Sequence, residues 1–170
     1  AELLVPGAAL PLYSALRFGW PARAKLRQSF RDLRIQGVYV ATEGPLGYSA
    51  IGAARDLGIP VCAGFHTRFD DYLKHYGLSF LQPLALAWLR HFHNRADCTL
   101  VPTSELRDWL QSAGLTRVAL LTRAVDTTFF TPSARSDELR RELGVAPDDL
   151  LLIHVGRIAA EKNLALLHRC

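Results

Sequence analysis

The sequence predicts an α/β fold, a doubly wound parallel sheet, on three observations. Short β-branched runs alternate with apolar stripes of helical period, glycine and proline punctuate the joins, and the stretches between strands are long enough for crossover connections. Length agrees, since 170 residues make one ordinary domain and the beginning of another. A hydrophobic share of 49%, 21% charged residues and a mean hydropathy of +0.09 describe a globular chain and exclude a disordered or collagen-like one.

Taken in order, Pro21 suits the first turn of a helix in which Leu26, Phe30 and Leu33 form an apolar stripe. Residues 37–41 read as a strand and 42–45 as a turn. Leu46, Ala50, Ala53, Ala54 and Leu57 then form the stripe of a helix that Gly58 stops. A second strand over 59–65 runs into His66 and Thr67. Ala85, Trp88, Leu89 and Phe92 mark the next helix and 98–101 the third strand. Leu106, Trp109, Leu110 and Ala113 belong to a helix closed by Gly114, and 117–121 is the fourth strand. Beyond Val125 and Asp126 the texture changes, which sets two domains, 1–130 and 131–170. The second opens with a short charged helix over 136–143, a buried strand over 150–155 and a helix starting at 161–164.

Charge is localised. Arg17, Arg23, Lys25, Arg27, Arg31 and Arg34 face only Asp32 in their segment, although the whole chain carries +4. Helix 21–34 is therefore a basic amphipathic element, either a solvated face or a contact for an anionic membrane surface. No window reaches the ~18 apolar residues of a spanning helix, and no signal-peptide pattern opens the chain, so the expected location is cytoplasmic, at most peripheral on the inner face of the membrane. Aromatics fall mostly at core positions and no recognition motif is present, which argues against nucleic acid. Cys62, Cys98 and Cys170 are odd in number without a C-x-x-C pair, so buried free thiols are expected rather than disulfides or a thiolate zinc site. A chain that opens Ala-Glu-Leu-Leu and contains no methionine is expected to be a piece of a longer one.

Several residues sit where an open parallel sheet collects ligands, at strand C-terminal ends. Gly156-Arg-Ile-Ala-Ala-Glu-Lys-Asn163 leaves a strand through a glycine, and Arg157 and Lys162 bracket the turn, a pattern suited to a diphosphate or simply to a solvated turn. His66 at the end of the second strand could bond a sugar hydroxyl or handle a proton, or be satisfied in its loop. Turn 42–45 opens a helix whose unpaired N–H groups could seat a polar or anionic ligand group, with Glu43 beside that ligand or simply as the helix cap. His91 and His93, two apart on a helix, do not face each other, and the adjacent Asp70 and Asp71 are not spaced to hold a divalent ion, so no metal site is expected.

Four stretches in order, Val40-Ala-Thr-Glu-Gly-Pro-Leu-Gly47, Gly64-Phe-His-Thr-Arg-Phe-Asp70, Val101-Pro-Thr-Ser-Glu-Leu-Arg107 and Gly156-Arg-Ile-Ala-Ala-Glu-Lys-Asn163, resemble retaining glycosyltransferases of the GT-B architecture, family 4. Their GDP-mannose-dependent α-mannosyltransferase-like branch is the most similar. His91-Phe-His-Asn-Arg95 and Val125-Asp-Thr-Thr-Phe-Phe130 extend the likeness over nearly the whole chain. The resemblance implies two Rossmann-like domains, the N-terminal one on the acceptor side and the C-terminal one binding the nucleotide sugar. It implies that Gly156, Arg157, Lys162 and Asn163 bind the donor, that His66, Arg157 and Lys162 act at the reacting centre, and that Thr42, Glu43, Gly44 and Gly47 border the acceptor. The donor would be GDP-mannose or a UDP-sugar, the acceptor a lipid or glycan, and no metal or other cofactor would be needed. Ala124 departs from the glycine common before the Val-Asp pair. The family's opening strand and Gly-rich loop are expected before residue 1, and its paired-glutamate motif and base pocket beyond residue 170, so this piece alone is not expected to catalyse transfer. The alternatives are a non-catalytic Rossmann-like binding module and a GT-B nucleotide-sugar epimerase.

Overall fold

The computed structural model describes residues 2–10, 13–66, 79–122, 124–156, 158 and 162–169. They form two compact units, 1–122 and 123–170.

The first unit is built on a four-stranded parallel sheet in the order β3 (Val38–Val40), β4 (Val61–Gly64), β5 (Cys98–Val101), β6 (Val118–Leu120). Between them run α2 (Pro45–Asp56), α3 (Gln82–His93) and α4 (Ser104–Ser112). Val40, Val61, Ala63, Phe65 and Val101 point to one face of the sheet. There they are buried with Ile51 and Ala54 of α2, Leu89 and Phe92 of α3 and Leu110 of α4. The opposite face carries Tyr39, Cys62, Gly64, Cys98, Leu100 and Ala119, and Tyr39 and Ala119 are exposed. Cys62 and Cys98 are register partners and free; both are half-buried rather than buried as expected, because they lie on this thinly covered face. Cys170 lies outside the described residues.

The ends of these elements follow local chemistry. Gly58 and Gly114 adopt φ of 66° and 93° just after α2 and α4, the left-handed conformation that stops a helix and that only glycine takes without strain. Thr103 caps α4, its Oγ1 accepting the Leu106 N–H at 3.2 Å. Asp97 locks β4 beside β5, its Oδ2 accepting the Val61 N–H while its own N–H donates to the Val61 carbonyl, both at 2.8 Å.

Two local expectations change. Helix α1 (Arg23–Asp32) starts two residues after Pro21, because the N–H of Ala22, its N-cap, is tied to Ser49 Oγ of α2 at 3.2 Å. Its basic row is also partly engaged: Arg23 makes a two-pronged pair with Asp56, with Nε to Oδ2 at 2.9 Å, and Lys25 Nζ donates to the Leu4 carbonyl. Ahead of α1 lies an antiparallel hairpin that the sequence reading did not contain, β1 (Gly7–Leu10) with β2 (Tyr13–Gly19).

The second unit contains α5 (Asp137–Glu142), capped by Ser136 Oγ and ended by Gly144 at φ 70°, and the short α6 (Leu164–Leu167). Residues 150–155 are not the buried strand expected. They have no strand conformation, with Leu150 84% and Val155 92% exposed. A strand is stabilised by its neighbours' N–H and C=O groups, and among the described residues of this unit there is no other strand to supply them.

Candidate functional site

The C-terminal ends of β3 and β4 bring His66 and the 42–47 turn to one edge of the sheet. His66 is exposed, and its Nε2 lies 2.8 Å from the Tyr39 hydroxyl. Register explains the meeting. Tyr39 pairs with Cys62, so Tyr39, Gly64 and His66 project to the same face. A Cβ on Gly64 would come within 2.5 Å of His66 Nε2 and would collide with the Tyr39 hydroxyl. The missing side chain is what lets imidazole and phenol close over the strand. Tyr39 was not picked out from sequence; its signal is a phenol at the outward-facing position of a valine strand.

In the 42–47 turn, Thr42 is exposed and Gly47 buried. A Cβ on Gly47 would run into the Thr42 carbonyl and come within 2.9 Å of Val40, so only glycine lets the turn fold back this tightly. The N-cap of α2 is Gly44, not Glu43, which corrects the capping alternative. The Glu43 side chain, 7% exposed, turns inward instead, with Oε1 3.3 Å from Nε2 of the fully buried His93. The Glu43 carbonyl accepts the Trp88 indole N–H at 3.1 Å. Leu46 packs against Gly19 at the end of the unforeseen hairpin, so β2 borders this turn as well.

The two histidines of α3 point apart, as their spacing requires. His91 Nε2 meets the Tyr48 hydroxyl at 3.1 Å, with the two rings stacked at 5.8 Å, while His93 reaches Thr99 Oγ1 through Nδ1, also at 3.1 Å. His93 was not foreseen as a site residue. Its signal lies four residues after Leu89, on the buried side of the helix, where an imidazole needs polar partners. Among the described residues no group of three His, Cys, Asp or Glu side chains is placed to hold a metal. Asp70 and Asp71 lie outside them.

On the second unit, Gly156 and Lys162 are exposed, and Asn163 is the N-cap of α6 at φ 47°. Arg157 and Glu161 lie outside the described residues.

In open parallel α/β sheets ligands gather at the C-terminal ends of the strands, and that is the edge where His66 and the 42–47 turn lie. Residues 2–129 match the family model "Glycosyltransferase Family 4", and the chain belongs to that family. It is 37% identical over 164 residues to a GDP-mannose-dependent alpha-mannosyltransferase of Mycolicibacterium smegmatis, covering 96% of this chain and 43% of that protein. Sulfoquinovosyl transferase SQD2 of Arabidopsis thaliana is 34% identical over 134 residues, 76% of this chain and 26% of that protein. Alpha-monoglucosyldiacylglycerol synthase of Streptococcus pneumoniae is 26% identical over 170 residues, 94% and 38% of the two chains. The chain thus spans less than half the length of these relatives. No solved structure matches it. No helix among the described residues is long and apolar enough to cross a membrane.

Proposed function

We propose that the intact protein is a retaining hexosyltransferase that moves mannose from GDP-mannose to a lipid or glycan acceptor. The observation that carries this reading is His66, exposed at the C-terminal edge of a parallel sheet and bonded to Tyr39, in a chain of glycosyltransferase family 4. The likeness to the mannosyltransferases favours mannose, and the relatives named for diacylglycerol favour a lipid acceptor.

In this reading the 42–47 turn borders the acceptor and His66 contacts the donor sugar. Gly156, Arg157, Lys162 and Asn163 bind the donor diphosphate. The acceptor oxygen forms a bond to the anomeric carbon as the bond from that carbon to the diphosphate oxygen breaks. The acceptor proton passes to the leaving phosphate, giving the glycoside and the free nucleoside diphosphate. Same-face attack keeps the anomeric configuration. Arg157 as a planar fork and Lys162 as a point charge stabilise the negative charge that grows on the leaving group, and no metal takes part. The basic row of α1 is the part suited to an anionic membrane surface.

The test is transfer from GDP-mannose and UDP-glucose by the intact enzyme and by its His66→Ala, Arg157→Ala and Lys162→Ala variants. Each variant is expected to lose on the order of a hundredfold in turnover, the cost of removing one preorganised electrostatic contact. Unchanged turnover in all three, or no transfer from GDP-mannose by the unaltered enzyme, would overturn the reading.

A further inference from the structure

Beneath the 42–47 turn, three polar side chains from three segments stand in a row. Thr99 Oγ1 of β5 lies 3.1 Å from His93 Nδ1 of α3, and His93 Nε2 lies 3.3 Å from Glu43 Oε1. Hydroxyl, imidazole and carboxylate are also the parts of a hydrolase triad, but the order of exposure excludes that use. Thr99 is 2% exposed within a central strand, so its oxygen is closed to substrate. The outer end of the row is Glu43, and its carboxylate also faces inward. What the row reaches is therefore the backbone of the turn.

The hydrogen-bond inventory supports a holding role. A carboxylate removed from water needs a donor, and His93 Nε2–H supplies one. With Nε2–H turned to Glu43, Nδ1 is left to accept the Thr99 hydroxyl proton, so each member of the row has a partner. Glu43 is consequently fixed twice, by His93 at its carboxylate and by Trp88 at its carbonyl. Its neighbours are the exposed Thr42 and the helix N-cap Gly44. Without the imidazole the carboxylate would be left buried and unpaired, a cost that favours another setting of Glu43 and of the turn that carries it.

We infer that His93 is a positioning residue for the acceptor: it holds Glu43 inward and thereby sets the path of the 42–47 turn. The inference rests on the acceptor-side assignment of that turn. Its test in the intact enzyme is a double-mutant cycle on His93→Ala and Glu43→Ala, read as acceptor KM, donor KM and donor hydrolysis without acceptor. Each single variant is expected to raise acceptor KM about tenfold, the loss of one satisfied buried polar contact, and the double variant no further. In His93→Ala donor KM and donor hydrolysis stay unchanged, and His93→Gln, which keeps a donor, recovers most of the loss. Should His93→Ala not fold, His93→Gln against His93→Leu gives the same comparison. Activity that falls only with the folded fraction at unchanged acceptor KM, or single effects that multiply in the double variant, would overturn the role of His93. A non-additive effect on donor KM would leave the pairing standing and overturn the acceptor assignment instead.

Discussion

The Tyr39 hydroxyl and His66 Nε2 lie 2.8 Å apart across the bare Cα of Gly64, so an imidazole at a chain turn is steadied by a side chain rooted in the neighbouring strand. A hydrogen bond of this kind fixes the ring's orientation without burying it, which suits the sugar-contacting role proposed for His66.

Tyr39→Phe removes only that bond. In the intact enzyme kcat should fall about three- to tenfold, the worth of one neutral hydrogen bond. The melting temperature should stay within about 2 °C, because Tyr39 is 49% exposed. Steady-state kinetics and a thermal melt check both halves. An unchanged kcat would remove Tyr39 from the site.

Gly64→Ala and Gly47→Ala should part company. At Gly64 the new methyl meets the ends of two side chains that can swing aside. Stability should then change by less than about 1 kcal/mol, while kcat drops as in Tyr39→Phe and the two losses do not add. At Gly47 the methyl meets the Thr42 backbone, which cannot move without the turn, and about 2–3 kcal/mol should be lost. Urea midpoints of the two variants give the comparison.

The Arg23 guanidinium, bonded to Asp56, holds that carboxyl below the usual carboxylate range, with Arg27 and Arg31 adding to the effect. Because the folded value is lowered, the pair's contribution is fully present above the unfolded value of about 3.9 and is lost as pH falls through the folded one. Unfolding curves should therefore show the same Asp56→Asn effect at pH 5 as at pH 7, and a shrinking one below about pH 4. An effect that varies between pH 5 and 7 would show that another group is responsible.

Burial pushes the Cys98 thiol up, and Cys62 beside it adds to the shift. Less thiolate at pH 8 means slower chemistry. Iodoacetamide labelling followed by mass spectrometry should modify Cys98 more slowly than a free cysteine, with the difference gone in urea. Equal rates in the folded protein would contradict the raised value.

Much of the sheet was legible because its signals are local. Cys98–Val101 is the strand that its apolar run between Asp97 and Pro102 predicts, and Gly58, Gly114 and Gly144 end their helices at positive φ, as glycines placed there should. Non-local features were not legible. The hairpin is hidden by small residues at Ala8 and Ala9 and by Pro11, which blur the alternation that marks a strand. Residues 150–155 read as a strand by composition, but pairing decides strand formation, and composition carries no information on partners. Glu43 looked like a cap because caps are read from the next few residues, whereas its partner His93 lies 50 positions away. His66 and the 42–47 turn are site candidates already in the sequence, while the side chains that contact His66 and Glu43, Tyr39 and His93, became visible only when strands and helices were side by side.

The inward set of Glu43 tells an engineer where this protein will tolerate redesign. Thr42 and Pro45 stand at the surface of the turn, and under the proposed acceptor-side role of that turn they are the positions to vary for a different acceptor. Libraries that randomise Glu43 or Gly47 along with them would spend most of their members on chains that have lost the footing beneath the loop.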